Sequence, residues 1–396
     1  MNTPDRQWKT IMELYVEKEN KRLRRGFTTG TCAAAAACGA AQALLSDGRM
    51  MPCEIKIQTP KGIQAKIPVE SIRIQEEGVL CSVRKDSGDD PDVTDGTMIC
   101  ALVQKLEGQS QTVIVDGGRG VGRVTKPGLA CQVGEAAINP IPRKMIETEV
   151  RKVAGQLGYK GGLHVEISVP EGEALAEKTF NPKLGIVGGL SILGTSGIVE
   201  PMSEQALIDT IKVEINMKKA AGVEYLVVTP GNYGETFLKE TRNLDQLDYV
   251  KCSNFIGDTL SYLKEQDFKG VLLAGHIGKL VKVAAGMMNT HSKYGDRRME
   301  TLAEHAALAG VSQPQICQIR ECVTTENAAA LIKGCGPEME KRIYDSLLRE
   351  IKANMDRQVN GCLQTEVILF SSKYGYLGET PGTGQFLLRA QASGGK

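Results

Sequence analysis

Apolar and polar positions alternate along residues 54–58, 64–68, 71–75 and 79–85, with Gly or Pro between the runs. A period of two predicts strands, and the punctuation predicts an antiparallel or mixed sheet. An alanine-rich stretch before them predicts a helix over about 31–45, since alanine is the best helix former. Residues 1–25 read as a charged helical lead-in. Residues 94–106 read as helix, 112–115 as strand, 142–157 as helix and 164–169 as strand.

The pattern changes near residue 181. Apolar strands at 225–229, 270–274 and 366–370 alternate with helices after Gly234 and at 256–265, 279–288, 297–309, 324–333 and 338–354. Alternating elements imply a largely parallel sheet covered by helices. The chain thus divides into an α+β N-terminal domain, 1–180, and an α/β domain, 181–396, with the boundary between about 170 and 200.

Composition narrows the function. The 396 residues carry a formal net charge of +1, which excludes a general nucleic-acid binder. No apolar run approaches the roughly 20 residues of a membrane span. The polar first 21 residues show no secretory pattern. Eleven scattered cysteines without a CxxC pair suggest reduced thiols and a cytoplasmic protein. His164, His276, His291 and His305 fall at no metal-ligand spacing, so no metal site is expected.

Several segments carry candidate chemistry. In Arg24-Arg25-Gly26-Phe27-Thr28-Thr29-Gly30-Thr31-Cys32, either Thr29 or Thr31 is placed to cap the alanine helix. A helix start beside two arginines and three hydroxyls suits a carboxylate or phosphate; the bland alternative is a tidily capped buried helix. Residues 116–128 hold five glycines and the cations Arg119, Arg123 and Lys126. That loop suits anions, but its spacing is not that of a P-loop, and a solvated hairpin is the alternative. Arg143 and Lys144 oppose the dipole of the helix they open, as an acidic partner would require or as a plain surface helix would tolerate.

In the second half, 183–201 is an apolar run broken by five glycines, with Gly194-Thr195-Ser196-Gly197 able to wrap a small ligand. Thr229-Pro230-Gly231-Asn232-Tyr233-Gly234-Glu235 runs from strand to Gly turn to helix, where doubly wound sheets bind ligands. Tyr233 is placed to cover a ring and Glu235 to hold a ribose or amino group. Asn254 and Asp258 lie at a second such turn, and Gly275-His276-Ile277-Gly278-Lys279 forms a third. Lys279 and Lys282 share a helical face, and His291 follows as a candidate proton carrier.

Residues 26–35, Gly188-Gly189-Leu190-Ser191-Ile192-Leu193-Gly194-Thr195-Ser196-Gly197, the Thr229–Gly234 turn, Ser253-Asn254-Phe255-Ile256-Gly257 and the Gly275–Lys279 turn together resemble the CbiD family, over roughly residues 24–298. These are the cobalt-precorrin-5B methyltransferases of anaerobic cobalamin synthesis. The resemblance implies an α+β domain joined to a Rossmann-like α/β domain, and methyl transfer from S-adenosylmethionine to carbon 1 of the macrocycle, giving cobalt-precorrin-6A. A carboxylate-rich acceptor fits Arg25, Thr28, Thr29, Thr31, Arg119, Arg123, Lys126, Arg143 and Lys279. The donor is placed on Gly188, Gly189, Gly194, Thr195, Ser196, Gly197, on Pro230 through Glu235, and on Asn254. In-line displacement needs alignment in a dry pocket between the domains rather than a protein nucleophile, and His291 or Asp258 would serve if a base is used. The oligomeric state is left open. The competing readings are a phosphate-handling α/β enzyme, with Asp95 as its Mg²⁺ ligand, and a non-catalytic tetrapyrrole binder.

Overall fold

Helix α1 (Thr29–Leu45) buries Ala33 through Ala37 completely, because small side chains let neighbouring elements approach its axis on every side. The computed structural model describes residues 14–18, 21–242 and 247–393, and its chain divides into two compact units, Met1–Ser203 and Glu204–Lys396.

In the first unit, β1 (Tyr15–Lys18) and β2 (Lys21–Arg24) pair antiparallel, and β3 (Gly26–Phe27) leads into α1. The charged lead-in is therefore strand where it is described; residues 1–13 and 19–20 lie outside the described residues. Distant acids override the local helical pattern. Both terminal nitrogens of Arg24 donate to Asp86 at 2.6 Å, and Lys18 donates to the carbonyls of Pro201 and Met202.

The main sheet uses β4 (Glu54–Gln58), β5 (Gln64–Ile74), β6 (Val79–Arg84), β7 (Met98–Ser110) and β8 (Val113–Gly117). Short strands β9 (Gly120–Val121) and β10 (Arg123–Val124) follow, then α2 (Pro140–Gln156) and β11 (Gly161–Ser168). The order is β4-β5-β6-β7-β11-β8, antiparallel except for β11 with β8. The runs at 64–68 and 71–75 are one strand, with a register shift between Val69 and Ser71 where it changes partner from β4 to β6. Residues 94–106 are not helix. Ile99, Ala101 and Val103 point into the core on β7, and pairing on both sides decides a segment whose apolar pattern fits either period.

Beyond α3 (Gly172–Ala176), β12 (Ile186–Val187) pairs with β10, β13 (Gly189–Leu190) with β9 and β14 (Ile198–Val199) with β3. These ladders hold residues 181–203 in the first unit, so the chain divides at Ser203/Glu204 rather than near 180.

The second unit begins with α4 (Glu204–Ala220), followed by β15 (Tyr225–Thr229), α5 (Asn232–Arg242), β16 (Tyr249–Lys251), α6 (Ile256–Glu265), β17 (Gly270–His276) and α7 (Ile277–Ala284). Helices α8 (Arg298–Ala309), α9 (Gln313–Arg320), α10 (Thr325–Gly334) and α11 (Pro337–Val359) precede β18 (Gln364–Ser371), β19 (Gly375–Glu379) and α12 (Thr383–Ser393). The sheet order is β16-β15-β17-β18-β19, parallel except for β19. Val271 and Leu273 of β17 enter one core with α4 and α6–α11; Leu272 and Ala274 enter another with Phe237 and Phe386. Burial on both faces explains why these strands read as unbroken apolar runs. Among the described residues no helix is long and apolar enough to cross a membrane.

Gly120 marks the tightest backbone approach. Its φ is +72°, and a Cβ there would stand 1.8 Å from the Val169 carbonyl oxygen. Gly120→Ala should lower stability by about 2–4 kcal/mol in denaturant unfolding, since backbone rather than a yielding side chain must move.

Candidate functional site

The start of α1 is closed by the chain itself. The cap is Thr28, not Thr29 or Thr31: its Oγ1 accepts from the Thr31 amide at 3.2 Å. Thr29 Oγ1 accepts from the Leu193 amide at 2.9 Å, Thr31 Oγ1 donates to the Gly197 carbonyl at 2.7 Å, and the Gly30 amide donates to the Leu193 carbonyl at 3.0 Å. All three threonines are buried. They hold the 191–197 loop instead of offering hydroxyls to an anion. Gly194 and Gly197 answer them: a Cβ at Gly194 would lie 2.4 Å from Thr28 Cβ, and one at Gly197 2.9 Å from Thr31 Oγ1. The glycines of Gly194-Thr195-Ser196-Gly197 are thus explained by packing, and Ser196 is turned onto its own loop, donating to the Ile198 carbonyl at 2.9 Å. Gly188 and Gly189 lie on the ribbon of β12 and β13 in the first unit, apart in the chain's division from Pro230–Gly234 and Asn254 in the second.

The cations of the first unit differ in what they already bind. Arg25 meets Glu200 at 3.4 Å, together with Lys61 at 3.0 Å and Lys18 at 3.7 Å. Burial raises the Glu200 pKa, but the Lys61 hydrogen bond and the three charges outweigh it and hold the carboxyl below its ordinary value. Arg143 donates to the Val115 carbonyl. Arg123 donates to Asp116 Oδ2 at 3.1 Å and to the carbonyls of Gly117 and Gly134. Asp116 is held low because that bond, the Gly117 amide and the charges of Arg123 and Arg143 outweigh burial. Arg119 and Lys126 are exposed and meet no acid among the described residues.

In the second unit, the carboxyl ends of β15 and β17 meet where the strand order reverses. Parallel sheets open a crevice at such a point. Gly231 has φ +123°, and a Cβ on Gly234 would press on the Ala274 carbonyl at 2.8 Å. Pro230 is buried. Asn232 accepts from Lys251 at 2.9 Å, and Tyr233 is 73% exposed. The side chain of Glu235 lies outside the described residues. After β16, Asn254 Oδ1 accepts from Thr290 Oγ1 at 3.1 Å, and Ser253 takes φ +53°. Lys279 donates to the Ser253 carbonyl at 3.4 Å; burial, aided by the Lys282 charge and opposed by Cys252, holds its ammonium pKa below the ordinary lysine value. Lys282, three residues on along the same helix, faces inward. It is buried and donates to the carbonyls of Thr290 and Gly295.

His276, which the sequence placed in the third strand-end turn without a role of its own, is fixed by two hydrogen bonds. Its Nδ1 accepts from the Gly278 amide at 3.0 Å, so Nε2 carries the proton and donates to Glu326 at 2.8 Å. Glu326 also accepts from Ser371 Oγ at 2.6 Å and the Ser372 amide at 3.1 Å. Only the Gly-His-Ile-Gly spacing at a strand end hinted at it, since Glu326 and Ser371 lie 50 and 95 residues away. His291 caps the 3₁₀ turn Ser292–Tyr294, its Nδ1 accepting from the Lys293 amide at 3.2 Å. Asp258 lines an open cavity of about 370 Å³ with Asn289, whose Oδ1 accepts from the His291 amide at 3.1 Å. Asp95, the candidate Mg²⁺ ligand of the phosphate reading, accepts from the Ser87 amide at 2.8 Å. Among the described residues no group of three or more His, Cys, Asp or Glu side chains is placed to hold a metal ion.

The fold is of the mixed α/β class, with a Gly/Arg-rich loop in one unit and Gly-bearing turns at parallel strand ends in the other. Residues 16–201 match the family model described as CbiD, and residues 289–381 that described as the CbiD C-terminal domain. The cobalt-precorrin-5B C(1)-methyltransferase of Ruminiclostridium cellulolyticum is 49% identical over 360 residues, covering 91% of this chain and 92% of that protein. The protein of the same name from Alkaliphilus metalliredigens is 44% identical, covering 97% and 100%. A crystal structure of a cobalamin biosynthesis protein (cbiD) from Archaeoglobus fulgidus is 29% identical, covering 74% of this chain and 92% of that one at a TM-score of 0.42. The chain belongs to the CbiD family.

Because the bonds to Ser371, His276 and Ser372 outweigh burial, Glu326 sits below the ordinary glutamate value of 4.5. Its contribution to stability is complete above that value and is lost as pH falls through the lowered one. Glu326→Gln should cost about 1–2 kcal/mol at pH 7, and its denaturation midpoint should converge on wild type as the pH drops below 4.5.

Proposed function

We propose that this chain transfers a methyl group to carbon 1 of cobalt-precorrin-5B, giving cobalt-precorrin-6A, with S-adenosylmethionine as donor. The observation that carries the reading is 49% identity across 91% of the chain to a protein of that name. The donor is a small cation with an adenine ring and a carboxylate, and the strand-end turns of the second unit suit it. Tyr233 offers an exposed ring, Gly231 leaves open space where a side chain would stand, and Lys251 and Lys279, each bonded within the chain, bring positive charge to the turns. Tight glycines at parallel strand ends support a Rossmann-like role for this sheet.

When bound, S-adenosylmethionine supplies an electrophilic methyl group. The chain's part is to orient, and direct displacement asks for alignment of the reacting centres rather than a protein nucleophile. The acceptor carries many carboxylates, for which Arg119 and Lys126 are free and Arg123 and Arg143 already line the Asp116 strand end. If a base is used, Asp258 is the candidate; the neutral His291 ring accepts from the Lys293 amide at Nδ1 and so carries its hydrogen on Nε2, where it can donate.

Calorimetric titration with S-adenosylmethionine, or with its demethylated product, should show saturable binding. Binding of a Mg²⁺-nucleoside triphosphate in its place would favour a phosphate-handling enzyme. Arg119→Ala should weaken acceptor binding about tenfold and leave donor binding near normal. Equal loss of both would contradict the separate assignment of the two ligands.

A further inference from the structure

Val187 is an apolar side chain left in the open. It is 60% exposed on β12, and its partner across the ladder is Arg123 of β10. Residues directly opposite in an antiparallel pair point to the same face. Valine and guanidinium therefore stand side by side, while the next pair, Val124 and Ile186, turns inward and is buried with Cys131 and Ala137. Gly188 follows at φ +83°, with open space where a Cβ would stand. No chain atom lies within 4 Å of that position. Beside this low ribbon, Lys126 lays its stem against Gly185, where an added Cβ would meet its Cγ at 2.5 Å. Arg119 precedes β9, whose Gly120 pairs with Gly189 just beyond Gly188.

An exposed branched side chain opposite a guanidinium adds nothing to the fold's core. It is well matched to a flat conjugated ring with a carboxylate rim, which would cover apolar surface at its face and meet positive charge at its edge. We propose that Val187 and Gly188 seat one face of the tetrapyrrole ring while Arg119, Arg123 and Lys126 hold its peripheral carboxylates. The inference rests on the acceptor assigned above and adds the surface that recognises it. Gly188 thereby serves the acceptor rather than the donor.

Uroporphyrin III, a stable tetrapyrrole octacarboxylate, is the probe, titrated by fluorescence against the full chain at several salt concentrations. Val187→Ser should weaken binding about fivefold with the salt dependence unchanged, because only apolar contact is lost. Val187→Glu should weaken it further, and Arg119→Gln should weaken it while flattening the salt dependence. Circular dichroism and donor titration, both unchanged in the Val187 variants, show that the fold is intact. Wild-type affinity in both Val187 variants of an enzyme that methylates its acceptor would overturn the ribbon alone. A wild-type chain that binds neither donor nor probe would overturn the functional reading and the ribbon with it.

Discussion

The first turn of α1 is satisfied by backbone and hydroxyls from residues 191–197, and the first unit is organised around that closure. Free amides at a helix start must find partners. Here the Gly30 amide and the threonine hydroxyls find them on a loop more than 160 residues away in sequence. The contact requires Gly194 and Gly197 to lack side chains. It fixes β14 beside β3, and the same stretch of chain supplies β12 and β13 to the Gly/Arg loop. The loop's short strands pair with β12 and β13, which lead directly into the stretch bonded to the helix.

Charge is arranged so that some cations are spent on the fold and others are not. Lys85 is almost wholly enclosed and bonds to Ser87 and to Asp92 at 2.7 Å; removal of Asp92 would leave a buried charge without its counter-ion. Arg24 and Arg25 are committed to Asp86 and Glu200. Such pairing cannot be seen in a list of basic residues, which is why Arg25 and Arg119 looked equivalent in the sequence and are not in the structure.

The strongly periodic elements were legible. The alanine helix, the alternating strands from residue 54 and the apolar strand 225–229 stand where their patterns put them, and the strand read at 270–274 runs on to His276. The misreadings share a cause, which is long-range pairing. Residues 98–110 are apolar enough for either period until β6 and β11 flank them. Residues 15–24 look helical until acids from elsewhere hold them extended. The glycines at 194 and 197 suggested a ligand but serve close packing, as does Gly234 against the Ala274 carbonyl, whereas Gly231 leaves open space at φ +123°. The role of His276 escaped notice because its partners come from α10 and β18.

Both nitrogens of the His276 imidazole are committed, one receiving a hydrogen from the α7 backbone and the other giving one to Glu326. With both nitrogens in use, the ring cannot turn without breaking one of the two bonds. The imidazole therefore acts as a fixed spacer between two helices. Rotation or loss of the ring would displace the start of α7 at the end of β17 rather than remove a reacting group.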